Sequence, residues 1–400
     1  MVLATATVDP AAFFAIILAS ALAGAAAAIA GQRGAIVPAV VLELVLGIVL
    51  GPHVIGLHVT DFIGFFSDLG LGLLFFFAGY EIDLQSILGS PLRLALLGWA
   101  ASLLLAYTLG GLLAAAGVVI SLLYTGSALS TTAVGTLIPI LSDAKELHTR
   151  FGSYLLAAGA VGEFGPILVL TLVLSAESTL HNAIILVAFI ALAVLVAVLA
   201  VRSSARTLPI LERTLHSSSQ LAVRWILLLV FALALLASEL GLDLLLGGFA
   251  AGLIARQLLR GREMPEFDSK LTAVAFGVFV PFFFIVSGMK LDVHALFESS
   301  AGVLKMFLFL VLFLVVRGGP ALLIYRRALA RRARIALALM SSTQLPMVLA
   351  ITDLAVAGGH MRHSTAAALV GAAVLSSLCF PLLGLKLRGD LPVESATIAG

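Results

Sequence analysis

Residues Leu73 to Leu84 read LLFFFAGYEIDL, and residues Phe282 to Val293 read FFFIVSGMKLDV. The shared glycine and the shared aspartate of the two stretches coincide at an offset of 209 positions. At nearly the same offset, Ser130-Thr131-Thr132 corresponds to Ser341-Ser342-Thr343. Two matches at nearly the same offset indicate an internal repeat, and internal repeats are typical of secondary transporters.

The composition is that of a membrane protein. The chain has 400 residues, of which 62% are hydrophobic and 11% charged, and its mean hydropathy is +1.18. These values lie outside the range of water-soluble domains. The apolar residues fall in blocks of roughly 20, which predicts membrane-spanning helices and not barrel strands. A net charge of +2 does not suggest nucleic acid as a partner.

Hydropathy predicts an all-α polytopic fold with about 13 transmembrane helices in a single domain covering residues 1–400. Helices 1 to 6 form repeat one (11–176), a connector helix follows (182–201), and helices 8 to 13 form repeat two (219–386). An offset of seven helices inverts the second copy in the membrane. The predicted ranges are 11–31, 35–54, 62–80, 92–116, 118–141, 150–176, 182–201, 219–238, 243–258, 271–289, 301–325, 333–357 and 364–386.

The basic residues predict the orientation of the chain. The loops after odd-numbered helices, together with the C-terminal tail, hold 19 of the 23 lysines and arginines. Because cytoplasmic loops carry the excess of positive charge, we expect the N-terminus outside and the C-terminus in the cytoplasm. The 18 arginines against 5 lysines point to a GC-rich bacterium, and so to a bacterial plasma membrane.

The fifth helix of each repeat is interrupted by small polar residues. Pro346 removes a backbone donor from one of these helices, and hydroxyl groups can replace lost helix bonds, so both helices are predicted to break near mid-membrane. Broken helices expose carbonyl groups and half-helix dipoles that bind ions. The alternative is ordinary Ser/Thr packing between helices. The residues concerned are Ser130, Thr131 and Thr132 in one helix, and Ser341, Ser342, Thr343 and Gln344 in the other.

Glu163 is the most deeply placed acidic residue of the predicted spans. It lies in Ala160-Val-Gly-Glu-Phe-Gly-Pro166, about twelve residues from each end of its helix. Burial favours the protonated carboxyl, and the deprotonated oxygens can ligate a small cation. A site that takes a proton or a cation, but not both, is sufficient for antiport. The alternative is a structural carboxyl group that is hydrogen-bonded to its neighbours.

Two further residues are candidates. Arg317, in Val315-Val-Arg-Gly-Gly-Pro320, is the basic residue placed well inside a predicted span, and it needs a counter-charge. Glu163 is the predicted partner, and snorkelling toward the neighbouring basic loop is the alternative. Glu43, in helix 2, is a candidate for the ion pathway or for a dimer interface, and a structural role is equally compatible with its position.

The motifs resemble the membrane domain of the cation:proton antiporter-2 superfamily, the Kef-type and NapA-type exchangers. The residues that carry the resemblance lie in four segments spread over most of the chain, and in combination they are specific. The segments are PAVVLELVLGIVLGP (Pro38–Pro52), LLFFFAGYEID (Leu73–Asp83), ALSTTA (Ala128–Ala133) and PFFFIVSGM (Pro281–Met289).

The resemblance implies a homodimer in which a core domain carries the ion site across the bilayer while a scaffold domain stays in place. It implies that the crossed, broken helices are those containing Ser130–Thr132 and Ser341–Thr343. The family's ion-binding carboxylate matches Glu163, and its membrane-embedded basic residue matches Arg317. No cofactor is expected, and the partners implied are Na⁺ or K⁺, protons and the lipid bilayer.

This sequence departs from the family pattern in two ways. The family usually has Asp at position 163, preceded by Asn, Asp or Gln, whereas Gly162 precedes Glu163 here, so the ion preference stays open. With one carboxylate we expect one proton per cation and electroneutral exchange. About a dozen residues follow the last predicted helix, so a C-terminal nucleotide-binding regulatory domain is not expected. Whether a separate regulatory subunit binds is left open.

Two other functional classes were weighed against the antiporter. A gated cation channel or a cation-coupled symporter could be built on the same repeat, and a channel would conduct cations without proton coupling. An intramembrane enzyme is poorly supported, since the sequence contains no His-Glu-x-x-His zinc motif and no evident Ser/His pair in adjacent spans. The sequence therefore predicts a transporter that is not an enzyme.

Overall fold

The computed structural model describes residues 9–32, 38–82, 87–147, 149–173, 179–214, 219–240, 242, 244–259, 264–297 and 300–388. Every regular element in these ranges is a helix. The chain separates into two compact units, the first formed by residues 1–83 and 171–290 and the second by residues 84–170 and 291–400. Asp83, one of the two aspartates of the repeat, lies outside the described residues.

The first unit contains seven described helices. The π-helical segment Ala275–Phe279 lies inside the last of them. The helices are α1 (Pro10–Gln32), α2 (Ala39–Leu50), α3 (Asp61–Tyr80), α8 (Thr179–Thr214), α9 (Leu221–Glu239), α10 (Leu244–Leu258) and α11 (Pro265–Lys290).

The second unit contains the remaining helices, of which α7 extends three residues beyond the boundary between the units. The long helix α13 contains a π-helical segment at Leu314–Gly318 and ends in a 3-10 turn. The helices are α4 (Ser90–Ala115), α5 (Leu122–Leu129), α6 (Val134–Asp143), α7 (Arg150–Val173), α12 (Val293–Phe297), α13 (Ser300–Arg327), α14 (Arg331–Ser341), α15 (Pro346–Ala357) and α16 (His363–Arg388).

Ten helical segments of the described chain are long and apolar enough to cross a membrane. Three shorter apolar segments, at Ala39–Leu50, Leu122–Ile138 and Leu244–Leu258, coincide with the other three predicted spans. The multi-pass helical fold is therefore confirmed, while the count of thirteen spans stays a prediction. One helix differs clearly from its predicted range, because α8 continues to Thr214 where hydropathy ended the span at residue 201. Hydropathy marks the apolar stretch of a helix and not its end.

Close helix packing in the first unit depends on glycine. A Cβ atom added at Gly79 of α3 would collide with the carbonyl oxygen of Phe249 in α10. In the same contact, a Cβ atom at Gly252 of α10 would collide with the carbonyl oxygen of Phe76 in α3. The two backbones touch because neither glycine has a side chain, as is common between membrane helices.

The same arrangement recurs between α2 and α11. A Cβ atom at Gly288 would collide with the carbonyl oxygen of Leu44, and one at Gly47 with that of Ile285. Gly288 is the repeat equivalent of Gly79, so the third helix of each repeat packs through the same glycine against the second helix of the other repeat. This packing supports the inverted repeat deduced from the sequence.

The second unit has an apolar cluster at the end of α13. Phe151 of α7, Tyr325 of α13 and Leu337 of α14 belong to this cluster, and each is at most 2% exposed. The rings of Tyr154 and Tyr325 meet edge to face with their centroids 5.7 Å apart. The cluster holds α7, α13 and α14 together beside the polar residues described next.

Candidate functional site

Two helices of the second unit are broken where the sequence predicted it. Helix α5 ends at Leu129 and α6 begins at Val134, while α14 ends at Ser341 and α15 begins at Pro346. Each break is therefore four residues long. Proline is favoured in the first turn of a helix, because the amide hydrogen that it lacks would have no helical partner there. Pro346 thus starts the second half-helix.

The two breaks are hydrogen-bonded directly to each other. The amide of Ala133 donates to the carbonyl oxygen of Thr343 at 2.8 Å. The hydroxyl of Thr132 donates to the carbonyl oxygen of Ser341. All four residues are at most 2% exposed, so backbone groups freed by one break find partners in the other.

Gln344 bonds the second break to two neighbouring segments. Its side-chain amide donates to the carbonyl oxygen of Leu129 at 3.2 Å, and its Oε1 lies 3.0 Å from Thr131 Oγ1 as an acceptor. Its backbone amide donates to Ser376 Oγ of α16 at 3.0 Å. The fully buried Gln344 thus fixes the geometry of both breaks.

Most hydroxyl groups of the breaks are satisfied locally. Ser130 Oγ donates to the carbonyl oxygen of Ser127 at 2.9 Å, and Ser342 Oγ donates to that of Ala338 at 2.7 Å. Ser341 Oγ also donates to Ala338, at 3.2 Å. Thr343 Oγ1 differs, because it is buried and has no hydrogen-bond partner among the described residues. A buried hydroxyl without a partner is costly unless it binds something.

Glu163 lies on α7 with 2% of its surface exposed. Its Oε2 accepts a hydrogen bond of 3.2 Å from the backbone amide of Val134, the first residue of α6. The amide of Gly135 also interacts with this carboxyl group. The carboxyl group therefore lies at the N-terminus of a half-helix, where free amides and the helix dipole favour negative charge. The structure brings the predicted carboxylate and the first break together.

Arg317 lies in the π-helical segment of α13 and is 4% exposed. Its Nε donates to Thr132 Oγ1 at 2.8 Å, and its Nη2 donates to the carbonyl oxygen of Ala158 at 3.0 Å. A longer contact of 3.5 Å joins its Nη1 to Ser102 Oγ. Arg317 therefore connects the first break with α7 and α4, and it does not snorkel toward the basic loop.

The predicted ion pair between Arg317 and Glu163 is wrong for this structure. The guanidinium donates to neutral oxygen atoms, and the carboxyl group accepts from backbone amides of α6. The two residues act on the same break from different directions, since Thr132 and Val134 are two positions apart. Thr132 Oγ1 accepts from the guanidinium, and Gly162 leaves room for it, so the guanidinium has acceptors other than the carboxyl group.

Three glycines at a spacing of three residues open one face of α7. A Cβ atom at Gly162 would overlap Arg317 Nη2 and lie 2.8 Å from Thr132 Oγ1. A Cβ atom at Gly159 would overlap the side chain of Val134, and one at Gly165 would overlap the ring of Trp99. Sequence analysis singled out Glu163 in this segment but missed the glycine contacts around it. The three-residue spacing was the available signal.

The remaining predicted site residue, Glu43, lies on α2 in the first unit and is 6% exposed. Its role in an ion pathway stays a prediction. Within the described ranges, no group of three or more His, Cys, Asp or Glu side chains could hold a resident metal ion.

A family model for the transmembrane part of sodium/hydrogen exchangers matches residues 13–384. The chain belongs to this family. It is 26% identical over 270 residues to the probable Na⁺/H⁺ antiporter 3 of Methanocaldococcus jannaschii, covering 66% of this chain and 68% of that protein. It is 30% identical over 293 residues to the Na⁺/H⁺-K⁺ antiporter GerN of Bacillus cereus, covering 69% and 70%.

Other relatives are longer than the matched region. The putative Na⁺/H⁺ antiporter YjbQ of Bacillus subtilis is 25% identical over 389 residues, which cover 90% of the present chain and 61% of YjbQ.

The solved structure of the sodium proton antiporter MjNhaP1 of Methanocaldococcus jannaschii superposes with a TM-score of 0.67 at 16% identity, covering 95% of the present chain and 99% of MjNhaP1. This similarity shows the fold. The family and its named relatives are transporters and not enzymes.

Proposed function

We propose that the chain exchanges Na⁺ or K⁺ for H⁺ across the membrane by alternating access, and that Glu163 binds the two kinds of ion in turn. The observation that carries this proposal is a fully buried carboxyl group at the N-terminus of a half-helix, beside two bonded helix breaks. Family membership and relatives named Na⁺/H⁺ antiporters support it.

A comparison of the buried carboxyl groups of the second unit favours Glu163 as the exchanging group. Glu146 is also buried, but its Oε1 lies 2.9 Å from Arg388 Nε in a salt bridge. Glu163 contacts backbone amides and is free of a salt bridge among the described residues. A buried carboxyl group without a paired cation is costly when ionised, even with amide donors, so a proton or a bound cation stabilises it. Glu163 therefore has two stable forms that exclude each other.

The oxygen atoms that would complete a cation site lie in the breaks. Small monovalent cations bind several oxygens, including carbonyl and hydroxyl groups. We propose Ser130, Thr131 and Thr132 as part of this site, with the hydroxyl of Thr343 as a further ligand, because Thr343 Oγ1 has no other partner in the described chain. Ser341, Ser342 and Gln344 would support the geometry of the breaks.

The remaining parts of the proposal follow the family. One exchanging carboxyl group implies one proton per cation and hence electroneutral exchange. K⁺ is kept beside Na⁺ because one relative is named for both ions. The second unit, which holds Glu163 and both breaks, would be the core domain of a homodimer. We place the protein in a bacterial plasma membrane with the N-terminus outside, built from repeats 11–176 and 219–386.

The proposal is tested by reconstituting the protein into liposomes with a pH-sensitive dye inside and adding Na⁺, K⁺, Li⁺ or Rb⁺ outside. The native protein is expected to move protons when its cation is added, and Glu163→Gln is expected to be inactive. Glu163→Asp keeps a carboxyl group and is the matched control, for which partial activity is expected.

The same assay distinguishes the channel or symporter, which the named relatives do not favour. Isotope uptake by the Glu163→Gln variant should be at background. Cation flux that persists in this variant without proton movement would indicate a channel, and normal exchange in this variant would refute the proposed site.

A further inference from the structure

Four helix ends of the second unit converge at a pair of tyrosines. The rings of Tyr154 in α7 and Tyr325 in α13 meet edge to face. The hydroxyl of Tyr154 lies 3.2 Å from the hydroxyl of Ser90, the first residue of α4. Helix α14 begins at Arg331, shortly after Tyr325. The starts of α4, α7 and α14 and the end of α13 therefore lie at one end of this unit.

Arginines are concentrated at this end of the unit. The guanidinium of Arg150 lies 6.0 Å from the ring centroid of Tyr154, and Arg93 lies in the first turns of α4. Five more arginines occur within nine positions of the chain where α13 connects to α14, and all of them except the last are exposed. These five are Arg326, Arg327, Arg331, Arg332 and Arg334.

The five arginines of the α13–α14 connection have no acidic residue near them in the sequence. No Asp or Glu occurs between Glu298 and Asp353, and three of the five arginines lie in the first four residues of α14. Basic side chains are disfavoured there, because the helix dipole is positive at this end. Glu146, on the α6–α7 connection, is paired with Arg388. The positive-inside rule predicts basic residues on this side but not such a concentration, which favours a negatively charged partner.

Hydrogen bonds hold the α13–α14 connection in a defined conformation. The amides of Ala328 and Leu329 each donate to the carbonyl oxygen of Tyr325 at 3.0 Å. Arg334 Nη1 donates to the carbonyl oxygen of Leu322 at 3.1 Å, which joins α14 to α13. Because the backbone that carries the arginines is already ordered, less entropy is lost when they bind a partner.

Exposed leucines accompany the exposed arginines about one helical turn away. Leu322–Leu323 precede Arg326 on α13, and Leu96–Leu97 follow Arg93 on α4. One helical turn rises about 5.4 Å. Arginine one turn from a lipid-facing leucine fits the boundary between lipid headgroups and acyl chains. A soluble acidic partner would account for the arginines but not for the leucines.

We propose that this surface, which we call the arginine face, binds the headgroups of anionic phospholipids. It consists of Arg93, Arg150 and the five arginines of the α13–α14 connection. Guanidinium groups bind phosphate through two parallel hydrogen bonds, and clusters of basic residues beside a membrane-spanning helix attract anionic lipids. The second unit also contains Glu163, so the lipid would bind the same unit as the proposed exchange site.

The test measures lipid binding to the full chain in a neutral detergent. Phosphatidylglycerol and phosphatidylcholine with the same acyl chains are added separately, and bound lipids are counted by native mass spectrometry. We expect phosphatidylglycerol to bind at least about tenfold more tightly, because each arginine near a membrane surface contributes roughly fivefold. Added NaCl should reduce this preference, since salt screens the attraction.

Two double variants test which residues provide the preference. Arg326→Gln combined with Arg327→Gln should remove most of it, and so should Arg331→Gln combined with Arg332→Gln. These side chains are exposed, so the unfolding temperature in lipid-free detergent should stay close to the native value. Inorganic phosphate at the concentration of the lipid should not displace phosphatidylglycerol, because the free ion lacks acyl chains to contact the leucines.

The matched control is Arg202→Gln combined with Arg224→Gln, which removes two exposed arginines from the first unit. This control should keep the preference of the native protein. Equal affinities of the native protein for the two lipids, a preference that salt does not change, or displacement by inorganic phosphate would overturn the proposal. So would a control that loses as much preference as the two double variants. The measurement does not involve transport, so failure here is distinguishable from failure of the exchange function.

Discussion

Gly162 and Arg317 are in direct contact, and the guanidinium Nη2 occupies the space that a side chain at position 162 would need. The family that this sequence resembles usually carries Asn, Asp or Gln at this position. Here the space next to Glu163 is filled by the Arg317 guanidinium of α13 instead. The residue that occupies this space lies 155 positions further along the sequence.

Substituting Gly162 with alanine should damage the site. The added methyl group would overlap Arg317 Nη2 and Thr132 Oγ1, so overpacking should lower the free energy of unfolding by about 1–3 kcal/mol. We expect a lower unfolding temperature and a loss of exchange in liposomes. Gly111→Ala is the control, because no atom lies within 4 Å of its added Cβ. Equal behaviour of the two variants would argue against the contact.

Removing the hydroxyl of Thr343 should weaken cation binding. Thr343→Val keeps the shape of the side chain, and if Oγ1 is a cation ligand the cation concentration for half-maximal exchange should rise roughly tenfold. Thr343→Ser should restore most of the affinity. Thr365→Val is the control, since Thr365 Oγ1 is also buried with no partner among the residues that the structure describes, but it lies on the first turn of α16. An unchanged cation dependence in Thr343→Val would exclude this ligand.

The salt bridge between Glu146 and Arg388 should stabilise the second unit. Arg388 Nε lies 2.9 Å from Glu146 Oε1, and Thr149 Oγ1 donates to Glu146 Oε2 at 2.8 Å. Because removing one partner leaves a buried charge, Arg388→Ala should cost about 3–5 kcal/mol of unfolding free energy. Glu146→Gln combined with Arg388→Ala should cost less than the sum of the two single changes. Strict additivity in this double-mutant cycle would contradict a coupled pair.

Arg317→Lys should show that the hydrogen-bond geometry of Arg317 matters as well as its charge. Lysine keeps the positive charge but cannot reach Thr132, Ala158 and Ser102 together as the planar guanidinium does. We expect the exchange rate in liposomes to fall at least about tenfold, because one lost bond to a charged group is worth about 1.5–3 kcal/mol. A variant with the native rate would indicate that charge alone is required.

The sequence was sufficient for the multi-pass helical architecture and for locating a buried carboxyl group beside the first break. Hydropathy and the repeat predicted the helices, and the cost of burying a charge singled out Glu163 and Arg317. The partner of Arg317 was predicted wrongly. The cost of burying a cation implies that it needs hydrogen-bond acceptors, but it does not indicate whether those acceptors are charged or neutral. Thr132 and Ala158 satisfy it instead. Such contacts depend on how each helix is rotated about its axis and on the space that Gly162 leaves. Neither can be read from hydropathy or from residue spacing.

The glycine contacts of the first unit bear on how such a chain could have originated. Gly79 of the first repeat packs against α10 of the second, and Gly288 of the second packs against α2 of the first. Each of these two close contacts joins a helix of the first repeat to a helix of the second repeat. An ancestor of half this length could therefore have formed these contacts only as two antiparallel copies, before gene duplication joined them into one polypeptide.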